Sequence, residues 1–235
     1  MTIKDNSMKN YAILLSALIM IAPGCFATMP APVKDIYLVE KTSEEDKLLA
    51  GIEDEIININ KQNNQAKESA KIIRQEISVS EARIGSLERN KSYNLELEKL
   101  YSISNDNAKL AEVKRLIQQN DDDMKKETAH LEYLKAKKDN QESSVDVKDA
   151  ELSVKVAELY YEKSKIARKF QDKTMVAAPV EGKEPAKEDR NKIDVDEYRK
   201  YLDSQKDKLA KAQAAQKKYA DAFIKAEAKL KESGY

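Results

Sequence analysis

Between Pro32 and Pro179 the chain runs 146 residues without a proline and with only two glycines, Gly51 and Gly85. Nothing in the backbone chemistry therefore interrupts helix over that distance. Along it, apolar residues recur alternately every three and four positions. Leu49, Ile52, Ile56, Ile59, Asn63, Ala66, Ala70, Ile73, Ile77, Ser80, Ile84 and Leu87 make one unbroken frame, apolar at ten of its twelve positions. A stripe of that spacing held over about six heptads is the pattern of a coiled coil. Thr42 or Ser43, followed by Glu44, Glu45 and Asp46, supplies an N-cap with acids in the first turn, where they favour the helix dipole.

The frame breaks at Ser104-Asn105-Asp106-Asn107, residues whose side chains compete for backbone hydrogen bonds and favour turns. A second frame opens at Leu110 and runs through Val113, Ile117, Asn120, Met124, Glu127, Leu131 and Leu134. From Lys138 to Ile166 it thins, with Lys and Glu at inward positions. That half predicts a partly solvated seam, or a helix rotated to use Val147, Ala150, Val154 and Ala157. Ser143-Ser144 ahead of Asp146 adds a candidate cap, so the pattern allows a kink or break around Asn140 to Ser144 as well as a continuous helix.

Pro179, Gly182 and Pro185 mark a linker over residues 174–193, after which Asp194 or Asp196 caps a third helix over 194–235. Its frame includes Val195, Tyr198, Leu202, Gln205, Leu209, Ala212, Gln216, Tyr219, Phe223, Ala226 and Leu230, with Tyr198 and Tyr219 as packing residues. The two long helices are nearly equal, roughly 90 to 100 Å at 1.5 Å per residue. A four-residue turn between them folds them back as an antiparallel hairpin over 43–173. The expected fold is all-α: an elongated coiled-coil hairpin with the third helix packed on it, a three-helix bundle tapering to a two-helix tip near Ser104. Pairing between chains, as a homo-oligomer, is the alternative use of the same frames.

Composition limits the function. Forty-two Lys+Arg balance 42 Asp+Glu. A dedicated nucleic-acid binder needs a cationic surplus, so no nucleic-acid partner is expected. The lysines between Lys206 and Lys231 alternate with acids such as Asp207, Asp221 and Glu227, as on a solvated helix face. Gly residues are scattered singly and form no phosphate loop. His130 is the only histidine and Cys25 the only cysteine. Neither a zinc site nor a Cys/His nucleophile can be assembled from them, and no catalytic residue, cofactor or metal is expected. Asp121-Asp122-Asp123 point around a helix rather than at one ion. His130 is read as a surface residue on the rim of the seam.

The N-terminus reads as an address. Tyr11 to Ala22 is an uncharged apolar run of 12 residues after Lys9, too short to span a bilayer and right for a signal peptide over residues 1–24. A start at Met8 gives a tidier leader than Met1, whose leader carries Asp5. Ala22-Pro23-Gly24-Cys25 resembles the bacterial lipoprotein box, in which a small residue precedes a cysteine that is lipidated before cleavage. Leu is the family's usual residue three places before the cysteine, where this chain has Ala22. The resemblance implies acylation of Cys25; the competing cut lies after Ala27. Residues 25–42, with Pro30 and Pro32, read as an extended tether setting the stand-off from the membrane.

Together these features predict a non-enzymatic exported bacterial envelope protein, in the periplasm or at the outer membrane or cell surface. It would be lipid-anchored through Cys25 and act as scaffold, spacer or partner-binding module. Tyr160, Tyr161 and Tyr201 are the candidate contacts to a protein partner in the envelope, since tyrosine is enriched at interfaces. A periplasmic holdase chaperone and a minor helical-bundle subunit of a secretion or conjugation pilus are the alternative readings.

Overall fold

The computed structural model describes residues 28–176 and 192–235, the side chains of 175–176 excepted. Three α-helices make up almost all of it: α1 (Ser43–Ile103), α2 (Asn107–Val176) and α3 (Val195–Glu232). Each boundary has a local cause. The Thr42 hydroxyl accepts from the Glu45 N–H (3.2 Å) while the Glu45 carboxylate accepts from the Thr42 N–H (2.9 Å), a reciprocal box that satisfies two backbone donors. At the other end of α1, Asn105 takes the left-handed conformation (φ 56°), which asparagine tolerates better than most residues. The Asp106 carboxylate then accepts from the Lys109 N–H (3.2 Å) and opens α2. Asp194 caps α3, accepting from the Asp196 N–H (3.0 Å).

Cross-helix partners establish direction. Glu45 pairs with Lys169 (2.6 Å), Glu55 with Lys155 (2.6 Å), Arg74 with Glu142 (2.7 Å) and Lys91 with Asp121 (2.6 Å). One partner climbs α1 as the other descends α2, so the two helices are antiparallel. The same descent joins α3 to α2. The Ile193 N–H donates to Gln171 (2.9 Å), the Phe223 and Tyr133 rings lie 5.4 Å apart, and Tyr235 stacks on His130 at 4.3 Å. Among the described residues no Cα of α1 comes within 8 Å of a Cα of α3. Hence α2 is the central helix of this all-α three-helix bundle, and beyond His130 towards the tip only α1 and α2 remain paired.

All twelve positions of the first frame are buried or half-buried, including the polar Asn63 and Ser80. Asn63 is 1% exposed; its Nδ2 donates to Asp149, while its Oδ1 has no protein partner. The thin second half of the α2 frame has a different explanation from a solvated seam or a rotation. Lys138, Val145, Lys148, Val154 and Lys155 are all half-buried, and Ala157 is fully buried, because this stretch is covered on one side by α1 and on the other by α3. Small Ala157, Ser164 and Ala167 let the helices approach closely there.

Three sequence expectations are corrected. The break near Asn140 to Ser144 does not occur, and α2 is continuous from Asn107 to Val176. Gln141 donates to the Ala66 carbonyl (3.2 Å), Glu142 holds Arg74, and Asn140 faces Gln216 (3.5 Å), so the segment is pinned from both sides. Tyr219 is not a packing residue: it is 45% exposed. The neighbouring Ala220 is half-buried in its place, while Phe223, Ala226 and Leu230 of the same frame remain half-buried. Finally, the part of the tether that is described does not run free. Asp35–Leu38 forms a 3-10 turn whose Leu38 packs with Leu49, Ile166 and Ala167, flanked by Val33, Tyr37 and Ile193. The Tyr198 hydroxyl donates to the Ala31 carbonyl (2.6 Å), and burial pushes that phenol's pKa up, keeping the donor protonated. The proposed signal peptide, the Met8 start, Cys25, the cut after Ala27 and residues 177–191 of the linker lie outside the described residues.

Two predictions follow from this end of the molecule. The Lys169 ammonium and the Thr42 N–H hold the Glu45 carboxyl below the usual carboxylate range. Its stabilisation is therefore present above about pH 4.3, the value of an unperturbed glutamate, and is lost as pH falls through the lower folded-state value. Glu45→Gln should cost about 0.5–1 kcal/mol at pH 7, with urea-melt stabilities of variant and parent converging in acid. Tyr198→Phe should cost about 1 kcal/mol and speed proteolysis at Lys34, read by timed digestion and mass spectrometry.

Candidate interaction surfaces

Where α3 ends, a buried carboxylate ties the elements together. Glu127, an inward residue of the α2 frame, is 3% exposed. Burying it unpaired would cost several kcal/mol. Instead Ser80 of α1 donates to its Oε1 (2.7 Å), Arg83 Nε lies 3.4 Å from its Oε2, and His130 Nδ1 lies 3.4 Å from Oε1. His130 is not a plain surface residue: its ring is half-buried and stacks on Tyr235 and, at 6.4 Å, on Tyr133. Two side chains from each long helix and one past the end of α3 thus meet at a single level. Chemically the arrangement holds register. The Ser80 hydroxyl donates its proton to the carboxylate.

The three tyrosines singled out from the sequence are half-buried. The antiparallel register of α3 on α2 puts Tyr201 level with Tyr160 and Tyr161, yet among the described residues no ring contact joins them. Lys165 Nζ sits over the Tyr161 ring at 5.1 Å, a cation–π contact that covers part of that face. Asp121 is paired with Lys91 and Asp122 with Lys125 (3.6 Å), and among the described residues no three His, Cys, Asp or Glu side chains are grouped to hold an ion. A cleft of about 380 Å³ between α1 and α2 is lined by Lys67, Arg74, Glu142 and Asp146. Its charges are largely engaged with one another, Arg74 with Glu142 and Lys67 with Asp149 (3.1 Å).

Tyrosine counting missed a larger feature. The side of α1 turned away from α2 exposes Ile57, Ile72, Val79, Tyr93, Leu100 and Ile103. Large apolar side chains grouped on one uncovered face mark a surface that associates. The signal was present in the sequence: Ile72, Val79, Ser86, Tyr93 and Leu100 fall at strict seven-residue steps, outside the core frame. Only knowledge of which helix lies in the middle reveals that nothing within the described chain covers it. Among the described residues no helix is long and apolar enough to cross a membrane.

The junction at Glu127 yields a measurable expectation. Glu127→Ala leaves Ser80, Arg83 and His130 without their acceptor and should cost about 2–4 kcal/mol in urea unfolding. Combining Ser80→Ala with Glu127→Leu removes both polar groups and should recover most of that loss. Set against protein-family models, curated proteins and solved structures, the chain matches none of them.

Proposed function

We propose that this chain is an exported bacterial envelope protein, lipid-anchored at Cys25, whose bundle acts as a spacer and scaffold for a protein partner. The observation that carries the reading is the distance between its two ends. Ala31, six residues beyond Cys25, is bonded to Tyr198 at the base of the bundle, where α1 and α3 begin and α2 finishes. The turn at Asn105 lies at the far end of a 61-residue helix, about 90 Å away at 1.5 Å per residue. A lipid on Cys25 would place the base at the membrane and the tip far from it. Ala31 is held by Tyr198 and Leu38 by Leu49 and Ile166, which supports the bundle itself as the spacing element. The exposed apolar face of α1 supports the partner-binding part of the proposal.

In cells grown with radiolabelled palmitate, the parent chain should take up label and fractionate with membranes, and Cys25→Ala should do neither. Photocrosslinkers at Ser104 and at Tyr161 should capture different neighbours, since the two positions lie far apart along the bundle. Unlabelled parent chain counts against the anchor. Stoichiometric suppression of aggregation of an unrelated unfolded protein would favour the holdase reading instead.

A further inference from the structure

The outer face of α1 near the tip is built to pair with itself. From Val79 to Ile103, residues on the side opposite α2 recur at steps of three and four, the spacing of a second coiled-coil seam. Every one of these eight side chains is exposed, Tyr93 at 61% and Ile103 at 82%. The third helix stops at the level of His130 and Ser80, and it lies on α2 rather than on α1.

We propose that two copies of the chain associate antiparallel through this face, with the two-fold axis at the level of Lys91. One register brings apolar side chains together at its ends and sets each Arg89 one turn from a Glu96 of the second copy. Towards its ends, Val79 meets Ile103 of the second copy and Ala82 meets Leu100. Nearer the axis, Ser86 meets Glu96 and Arg89 meets Tyr93, so each guanidinium lies on an aromatic ring and one turn from the opposing carboxylate. By symmetry every pairing occurs twice, as an isologous contact requires. A parallel pairing fails on the same residues, because it sets Arg89 against Arg89 and Glu96 against Glu96. This pairing is independent of export and of acylation at Cys25, and its failure would leave the scaffold reading untouched.

The test is the molar mass of the full chain by sedimentation equilibrium in reductant, so that Cys25 cannot link chains. Concentrations should reach about 0.5 mM, where even a weak contact populates the dimer. The parent chain should show a concentration-dependent dimer that weakens with added salt. Arg89→Glu and Glu96→Arg should each raise the dissociation constant by about tenfold or more, and the double variant, which restores opposite charges across the axis, should return it close to the parent value. All these positions are exposed, so helicity by circular dichroism should be unchanged. A parent chain that stays monomeric, single variants that dimerise as well as the parent, or a double variant that does not recover would each overturn the proposal.

Discussion

The arrangement depends on α2 being apolar on two sides at once. A helix that packs against one neighbour buries a single stripe and leaves the rest to water. Between about His130 and Gln171, α2 is covered by α1 and α3 on different flanks, and nearly every side chain of that stretch is at least half-buried. Long Lys and Glu side chains suit such a position, since their methylene stems lie along apolar surface while the charges reach the edge. Lys155, which reaches both Glu55 (2.6 Å) and Glu158 (2.9 Å), does this at the α1 side. Everything else follows: among the described residues no Cα of α1 lies within 8 Å of one of α3, and α1 is left with an outer face.

Specificity of register comes from polar groups rather than from bulk. The seam contains Asn63, Ser80, Asn94 and Glu127, all buried, among aliphatic residues that would tolerate sliding by a heptad. A slip would separate Ser80 from Glu127 and Asn63 from Asp149, leaving buried groups unpaired. The surface ion pairs along both edges are worth little singly. Their consistent descent along α2 nevertheless penalises every alternative alignment.

The two ends of the bundle differ for the same reason. At the base, α1, α2, the 3-10 turn and Ile193, just ahead of α3, converge on one cluster around Leu38, Leu49 and Ile166. At the tip, two helices bury one seam, with Val113 and Asn94 among the residues it encloses. The molecule is thus thick where the chain enters and thin where it reverses.

Much of the fold was legible in the amino acids alone. Helix, frame and cap are local properties, set by the absence of proline, the alternation of three and four, and the chemistry of Thr42, Asn105 and Asp194. Other features were not local. Ser143-Ser144 look like a cap but lie inside α2, because Arg74 and Gln216 hold the helix from outside; Tyr219 falls in the frame yet is 45% exposed, with the smaller Ala220 half-buried beside it. Pro30 to Leu38 read as a tether because they carry two prolines and no helical or strand period, and the surface that Leu38 fills comes from Leu49 and from Ile166 and Ala167, more than a hundred positions away. The tyrosines chosen as contacts were picked by residue type, while the larger exposed face belongs to Ile72, Val79, Tyr93, Leu100 and Ile103. The sequence by itself determined where helices form and which stripe each buries, since both depend on neighbours a few residues apart. Only the tertiary structure decided which helix lies in the middle and which face stays uncovered, because that depends on how three stripes share one another's surface.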